Sequence, residues 1–168
     1  MQRGYLHIPV QHLTDEPFRV SAECPAAKIG LDNFIGNVAV DASIRQVNQR
    51  LQLICTVRAT TDSFCDRCAE EFRAEYSTTF EQWYVFDFHS GEIDEADDAI
   101  LISPDQRDVV IDEDVREAML VALPMKRLCR EDCLGLCPQC GRNRNIEPCD
   151  CENIEDNPLW AGLKNVKN

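Results

Sequence analysis

The sequence predicts an α+β protein, in which an antiparallel β-meander sheet is packed by one amphipathic helix and followed by a loop region stapled by cysteines. Three observations predict this class. Apolar residues alternate with period two from residue 37 to residue 61 and again after residue 72. A single helical stripe follows residue 112, and six of the ten cysteines lie between residues 129 and 151.

Three strands follow from the alternation. In the first, every second position is apolar: Val38, Val40, Ala42 and Ile44. After a polar stretch that predicts a turn near residues 47–49, the second strand repeats the pattern at Leu51, Leu53, Cys55 and Val57. The third runs from Phe72 to Gln82 and extends towards Phe86, and the connection before it carries Cys65-Asp-Arg-Cys68. We therefore expect a meander whose second connection is a cysteine hairpin, with a further strand near Tyr5–Val10.

Residues 87–117 form a strongly acidic stretch, with twelve Asp and Glu against two Arg. Within it, residues 91–98 are expected to form a mobile acidic loop, and residues 100–102 and 109–111 to form short strands. Such a run usually marks a solvated surface. A binding surface for a basic partner is the alternative interpretation.

One amphipathic helix is predicted after this stretch. Its apolar stripe consists of Val115, Ala118, Met119, Ala122 and Leu123. We expect Asp112 to be the N-cap residue, and Pro124 to end the helix. The stripe predicts that the helix packs on the sheet. Near the C-terminal end, Asn157-Pro158 predicts a short helical turn that carries Trp160 and docks on the body.

Charge and apolar run length exclude several protein classes. The chain has 168 residues and a formal net charge of −13. Its longest apolar run, residues 118–123, is far shorter than the roughly 20 residues that a membrane span needs. The first ten residues lack the pattern of a signal peptide, so a secreted protein is not expected. A protein that binds nucleic acid over its whole surface should be basic, so RNA could contact only a local basic patch of this chain. Binding of a basic protein partner is electrostatically more favourable than binding of RNA.

Cysteines are the main chemical signal. Without an export signal they should be reduced thiols, which favours metal binding or catalysis over disulfides. Cys137-Pro-Gln-Cys140-Gly141 has the form of a zinc knuckle, and Cys149-Asp-Cys151 supplies two further ligands after eight residues. Four thiolates in this span can surround one zinc ion at about 2.3 Å. The sequence therefore predicts a β-rich core with the acidic loop and the helix over residues 1–124, and a zinc-binding tail docked on that core over residues 125–168.

Four cysteines remain in two pairs, Cys65 with Cys68 and Cys129 with Cys133. The economical interpretation joins the pairs into a second zinc site, which ties the start of the tail to the sheet. In the alternative, Cys129 and Cys133 join the knuckle and the hairpin pair is left as a redox pair. Iron–sulfur binding also stays open beside two zinc ions, because four thiolates can hold either metal. Cys55 shares its strand parity with apolar residues and is expected in the core.

No active site emerges from the sequence, so we expect no enzyme. A catalytic zinc site usually keeps one position for water, and eight cysteines in two sites leave none. The three histidines, His7, His12 and His89, are scattered. The cysteine-rich region also carries candidate partner or RNA contacts: Arg130, Arg142 and Arg144. Its asparagines, Asn143 and Asn145, are expected to fix turns or cap sulfurs.

Several of these motifs occur in a family-specific order. They are Cys65-Asp-Arg-Cys68 with Phe72, then Leu123-Pro124, Cys129 and Cys133, the run from Gly135 to Asn145 with its knuckle, and Cys149-Asp-Cys151. This order resembles the YceD-type large-subunit ribosomal RNA accumulation protein family, and the resemblance covers roughly residues 30–165. Some members of this family keep the hairpin pair and a His/Cys pair after the helix but lack the later knuckle, so the resemblance implies two separable sites.

The resemblance implies a function in the cytoplasm. It implies a non-enzymatic ribosome-biogenesis factor that supports accumulation or processing of large-subunit (23S) rRNA by binding rRNA or a basic ribosomal protein. Neither a membrane nor a small-molecule substrate is expected, and the acidic stretch becomes a candidate site for holding the basic protein. Two other functions stay open: a zinc-ribbon module that binds nucleic acid directly, and a CxxC thiol-redox protein.

Overall fold

The computed structural model describes residues 4–86 and 99–151, which form seven strands, one α-helix and a short 3-10 helix. The strands are β1 His7–Pro9, β2 Phe18–Pro25, β3 Ile35–Val47, β4 Arg50–Phe64, β5 Glu71–Phe86, β6 Ala99–Ile102 and β7 Asp108–Val110. The 3-10 helix is Ala26–Ile29, and α1 is Asp112–Ala122. The predicted α+β class is confirmed. The acidic loop at residues 91–98 and the turn after Asn157 lie outside the described residues.

Five strands form one sheet in the order β2-β3-β4-β5-β6, and β1 pairs with β7 in a separate antiparallel ribbon. β3 and β4 are antiparallel neighbours whose pairing closes with Val47 opposite Arg50. The tight turn between them places Asn48 in the left-handed region, at a φ of 57°. The connection between β4 and β5 is the expected hairpin with Cys65 and Cys68.

Two features of the sheet differ from the prediction. β6 pairs parallel to β5, so the sheet is mixed rather than a purely antiparallel meander. Parallel neighbours need a connection of about a dozen residues, and twelve residues separate Phe86 from Ala99. The second difference is β2, which the sequence analysis missed because its inward-facing residues are mostly small. Val20, Ala22 and Cys24 nevertheless alternate with polar residues, and this signal could have revealed the strand.

The main hydrophobic core covers one face of the five-stranded sheet. Alternate residues of β4, from Leu51 to Ala59, are buried, as are their counterparts in β3. Cys55 is fully buried among them, and burial raises the pKa of its thiol to about 12. Cys55 is therefore a small core residue, as expected, and the raised pKa keeps its thiol protonated at neutral pH.

α1 packs against β5 and the 3-10 helix with the predicted apolar stripe. Val115 and Met119 are completely buried, and each buried side chain contributes about 1.5–3 kcal/mol to folding. The helix ends at Ala122, and Leu123 is extended because a residue before proline avoids the helical region. Within the described chain, neither α1 nor the 3-10 helix has the length and apolar character needed to cross a membrane.

The start of α1 corrects the predicted role of Asp112. Ile111 is the N-cap residue, and no side chain caps the helix. The Asp112 carboxylate instead accepts hydrogen bonds from the N–H groups of Tyr5, at 2.9 and 3.1 Å, and of Leu6, at 2.8 Å. This carboxylate therefore holds the segment before β1 against the helix start, a contact between residues about 106 positions apart that spacing alone does not reveal.

Substituting Asp112→Ala is expected to lower the free energy of unfolding by about 1–3 kcal/mol, because two backbone N–H groups lose their acceptor. Urea unfolding followed by circular dichroism measures the loss. The matched control is Glu113→Ala, which removes the same charge from an exposed ion pair with Arg116 and should cost less than about 1 kcal/mol. Equal losses in the two variants would contradict a structural role for Asp112.

The described chain divides into two compact units. The first contains residues 4–63, 71–86 and 99–126, and the second contains residues 64–70 and 127–151. The hairpin between β4 and β5 thus belongs to the same unit as the cysteine-rich region. The domain boundary after residue 124 and the docking of the tail on the core stay predictions.

Candidate metal centres

Eight cysteine sulfurs form two groups of four in the second unit. The inner cluster is Cys65, Cys68, Cys129 and Cys133, and the outer cluster is Cys137, Cys140, Cys149 and Cys151. Within each group the Sγ atoms lie within 4.8 Å of one another, and all ten cysteines are free thiols. The structure therefore brings together the two sets favoured by spacing, and each set could hold a metal ion. Zinc as the ion stays a prediction.

The first two cysteines of each cluster lie on the same kind of tight turn. In both turns, the N–H of the first cysteine donates to the C=O five residues later, and its own C=O accepts from the N–H four residues later. These distances are 2.9 and 2.8 Å in the turn at Cys65, and 2.8 and 2.9 Å in the turn at Cys137. The fifth residue is left-handed in both, with φ of 58° at Ala69 and 72° at Gly141. The knuckle is thus present twice, although only the second copy has glycine there.

The variant Ala69→Gly is expected to stabilise the second unit by about 0.5–1 kcal/mol. An L-residue in the left-handed region costs about 1–2 kcal/mol, of which the greater chain entropy of unfolded glycine cancels a part. Ala69 is exposed, so little packing is lost. Urea unfolding of the metal-loaded protein measures the gain. Ala39→Gly, in β3, is the control and should destabilise; a similar loss in Ala69→Gly would contradict the prediction.

The inner cluster has the dimensions of a tetrahedral four-sulfur site. An ion about 2.3 Å from four sulfurs gives sulfur–sulfur edges of about 3.8 Å. The Sγ atoms of Cys65 and Cys133 are 3.8 Å apart, and those of Cys68 and Cys129 are 3.7 Å apart. A disulfide would need about 2.05 Å. A donor set of four thiolates fits a soft, thiolate-binding ion such as zinc or iron.

Backbone N–H groups favour the thiolate form of the first sulfur in each cluster. Burial raises the pKa of Cys65, but three N–H groups directed at its sulfur outweigh burial and lower it to about 6. They belong to Cys129, Cys68 and Arg67. The N–H groups of Cys140 and Gln139 lower the pKa of Cys137 to about 6 in the same way. Burial and neighbouring sulfurs instead raise the pKa of Cys129 to about 12, so a cation is needed before all four sulfurs are ionised.

Asn145, in the loop between the outer ligands, caps the inner cluster. Its Nδ2 donates to Sγ of Cys133 at 3.3 Å. Its Oδ1 accepts from the N–H of Leu134 at 2.8 Å and from Nη2 of Arg130 at 2.7 Å. Oδ1 of Asn143 in turn accepts from the backbone and side-chain N–H groups of Asn145, at 3.0 and 2.8 Å. The expectation that these asparagines fix turns or cap sulfurs is confirmed.

The three arginines predicted to contact a partner differ in their surroundings. Besides its bond to Asn145, Arg130 forms an ion pair with Asp132, with Nε and Oδ1 3.3 Å apart. Arg142 and Arg144 are exposed, and their guanidinium groups have no hydrogen-bond or ion-pair partner within residues 4–86 and 99–151. Contact with a partner stays a prediction for all three.

Sequence reasoning missed Arg67, which lies between the two cysteines of the hairpin. Its Nη1 donates to the C=O groups of Glu131, at 3.1 Å, and Cys133, at 2.9 Å. Its own C=O accepts from the N–H of Leu136 at 2.9 Å. Arg67 thus joins the hairpin to the segment that carries the later ligands. Its position between two candidate ligands was the one available signal.

Comparison with known proteins places the chain in a family. The family model described as "Large ribosomal RNA subunit accumulation protein YceD" matches residues 53–167. The chain is 26% identical to the uncharacterized protein ML1660 of Mycobacterium leprae, over 83% of this chain and 65% of that protein. It is 28% identical to the uncharacterized proteins Mb2951c of Mycobacterium bovis and Rv2926c of Mycobacterium tuberculosis, over 74% of this chain and 59% of each.

These alignments cover less than two thirds of the length of the curated relatives. No solved structure matches the chain. The matched region of the family model includes all eight clustered cysteines and more than half of the chain. The chain therefore belongs to the YceD family of large ribosomal RNA subunit accumulation proteins.

Proposed function

We propose that this protein supports the accumulation of large-subunit rRNA in the cytoplasm as a non-enzymatic binding protein, whose cysteine-rich unit is held together by two zinc ions. The family match supports the link to large-subunit rRNA. The observation that carries the proposal is the arrangement of eight cysteines in two complete groups of four. Four protein ligands complete a structural zinc site, whereas a catalytic one keeps a position for water. Each ion would supply folding stability by joining two chain segments, which in the inner cluster lie 61 positions apart in sequence, from Cys68 to Cys129.

The RNA-contacting residues in this proposal are Arg142 and Arg144. Both are exposed in the loop between the outer ligands, and neither guanidinium group has a hydrogen-bond or ion-pair partner within the described chain. A guanidinium group can bind a phosphate through two parallel hydrogen bonds. The net charge of −13 opposes general attraction to RNA, so the contact should be local and salt-sensitive.

The double variant Arg142→Ala/Arg144→Ala tests this contact. Each lost phosphate contact on single-stranded RNA reduces the slope of log K against log salt by about 0.7, so we expect a reduction of about 1.4 and weaker binding at low salt. Fluorescence anisotropy with large-subunit rRNA fragments at several salt concentrations measures both.

The control for this test is Arg58→Ala/Arg73→Ala. It removes the same charge, but these guanidinium groups form ion pairs with Asp41 and Asp62. The proposed contact is wrong if the two double variants bind RNA equally well.

A basic ribosomal protein is the second candidate partner, and the acidic stretch of residues 87–117 favours it. Pull-down of purified basic ribosomal proteins at two salt concentrations tests this candidate, and an absence of salt-sensitive binding to any of them would end it. The thiol-redox alternative is less well supported, because it needs an accessible pair. Cys65 and Cys68 are only 2% and 4% exposed and lie within a four-sulfur group.

A further inference from the structure

The loop that joins the two halves of the outer cluster reaches away from that cluster to contact the inner one. Eight residues separate Cys140 from Cys149, and Asn145 lies in the middle of them. Its Nδ2 donates to Sγ of Cys133 at 3.3 Å, while its Oδ1 accepts from the N–H of Leu134 at 2.8 Å. One side chain therefore binds both a candidate ligand sulfur of the inner cluster and the backbone next to it.

The same loop also contacts the first turn of the inner cluster. Nδ2 of Asn143 donates to Oε1 of Glu70 at 2.9 Å, and the C=O of Glu70 accepts from the N–H of Cys65 at 2.9 Å. The N–H of Arg144 donates to the C=O of Gly135 at 2.9 Å. Both chain segments that carry inner ligands are thus bonded to a loop that belongs to the outer cluster.

No backbone–backbone hydrogen bond holds the far end of this loop within the described chain. The last such bonds are donated by Ile146 and Glu147 to the C=O of Asn143, both at 3.0 Å, and residues 148–151 make none. An ion in the outer cluster would join this end to the turn at Cys137. It would therefore reduce the conformational entropy still to be lost when the loop is held against the inner cluster.

We infer that the two clusters are energetically coupled through Asn145, so that an ion in the outer cluster raises the metal affinity of the inner cluster by slowing the release of its ion. The inference rests on the proposed metal binding. Asn145 is a positioning residue, since it fixes the sulfur of Cys133 and is not itself a ligand. Coupling between two binding sites is reciprocal, so the inner ion also stabilises the outer one. Because Cys140 is exposed and three inner ligands are buried, the outer cluster loses its ion first.

Transfer of Zn²⁺ from the full chain to a chromogenic chelator, under reducing conditions, tests the coupling. The wild type should release two equivalents in two phases, the faster one from the outer cluster. In Cys149→Ser/Cys151→Ser the inner ion should leave about tenfold faster than in the slow wild-type phase. Asn145→Ala should accelerate the slow phase ten- to a hundredfold, the usual effect of losing a partner of a metal ligand. When Cys149→Ser/Cys151→Ser is added to Asn145→Ala, the rate of Zn²⁺ release from the inner cluster should change by less than about twofold, because the side chain that couples the two clusters is already absent.

Two further variants separate the contact from general damage to the loop. Asn145→Asp keeps an acceptor for Leu134 but removes the donor to Cys133, and it should accelerate the slow phase as Asn145→Ala does. Ile146→Ala, at a side chain that is 68% exposed, should leave both phases unchanged. If Zn²⁺ leaves the inner cluster at the same rate with and without the outer ligands, the coupling is overturned. Two bound ions in the wild type would still support the proposed function in that case. A wild-type chain that binds no Zn²⁺ overturns the proposed function as well.

Discussion

Cys133→Ser is expected to reduce the bound metal from two ions per chain to one and to unfold the part of the second unit around the inner cluster. Cys133 is buried, its Sγ lies 3.8 Å from that of Cys65, and it accepts the hydrogen bond from Asn145. Structural zinc supplies about 10–16 kcal/mol of apparent binding free energy in small domains. That amount exceeds what the few buried apolar side chains of this unit could replace.

The measurements are elemental analysis for the bound metal and thermal unfolding with and without a chelator. Cys24→Ala is the matched control, because Cys24 is equally buried but belongs to neither cluster. It should keep both ions and lose only the stability associated with a smaller core side chain. Chelation of the wild type removes both ions and should therefore unfold the second unit at least as far as Cys133→Ser does. Retention of two ions by Cys133→Ser would contradict the proposed inner site.

Gly135→Ala is expected to destabilise the second unit by about 3 kcal/mol or more, from two additive causes. Gly135 has a φ of +73°, which costs a non-glycine residue about 1–2 kcal/mol. An added Cβ would also lie 2.9 Å from the C=O oxygen of Arg67. That oxygen is backbone and accepts the hydrogen bond of Leu136, so it cannot move aside without losing this bond.

Gly141→Ala is the control that carries only the first cause, so the difference between the two variants gives the second. Its φ is +72°, but an added Cβ would meet nothing within 4 Å, so only the conformational cost of about 1–2 kcal/mol applies. Urea unfolding of the metal-loaded variants compares the two losses, and release of Zn²⁺ to a chelator should be faster for Gly135→Ala. Equal losses would show that the close approach of Gly135 to Arg67 contributes nothing.

The elements predicted correctly are those with a strong local pattern. Alternation placed β3, β4 and β5, and the apolar stripe placed α1 with its end before Pro124. Two of the errors have a common cause. β6 is parallel to β5, and Asp112 binds the N-terminal segment rather than capping its own helix. Both depend on chain segments that are not adjacent in sequence, which residue spacing does not encode.

The candidate metal centres were likewise predictable only in part. Spacing alone identified the eight cysteines, because two thiolates on one ion require a short, turn-compatible separation. The roles of Arg67, Gly135 and Glu70 appeared only in the structure, since each depends on a hydrogen bond or a close approach to a residue more than 60 positions away. Such residues carry no motif of their own.

By itself, then, the sequence determined β3, β4, β5, the helix and the identity of the cysteines, because these follow from side-chain periodicity and short-range chain geometry. Only the tertiary structure decided the parallel edge strand, the anchoring of the N-terminal segment by Asp112 and the link from Asn145 to Cys133. These features depend on which distant segments pack together. That choice is made by the burial and hydrogen bonding of the whole chain rather than by any one stretch of it.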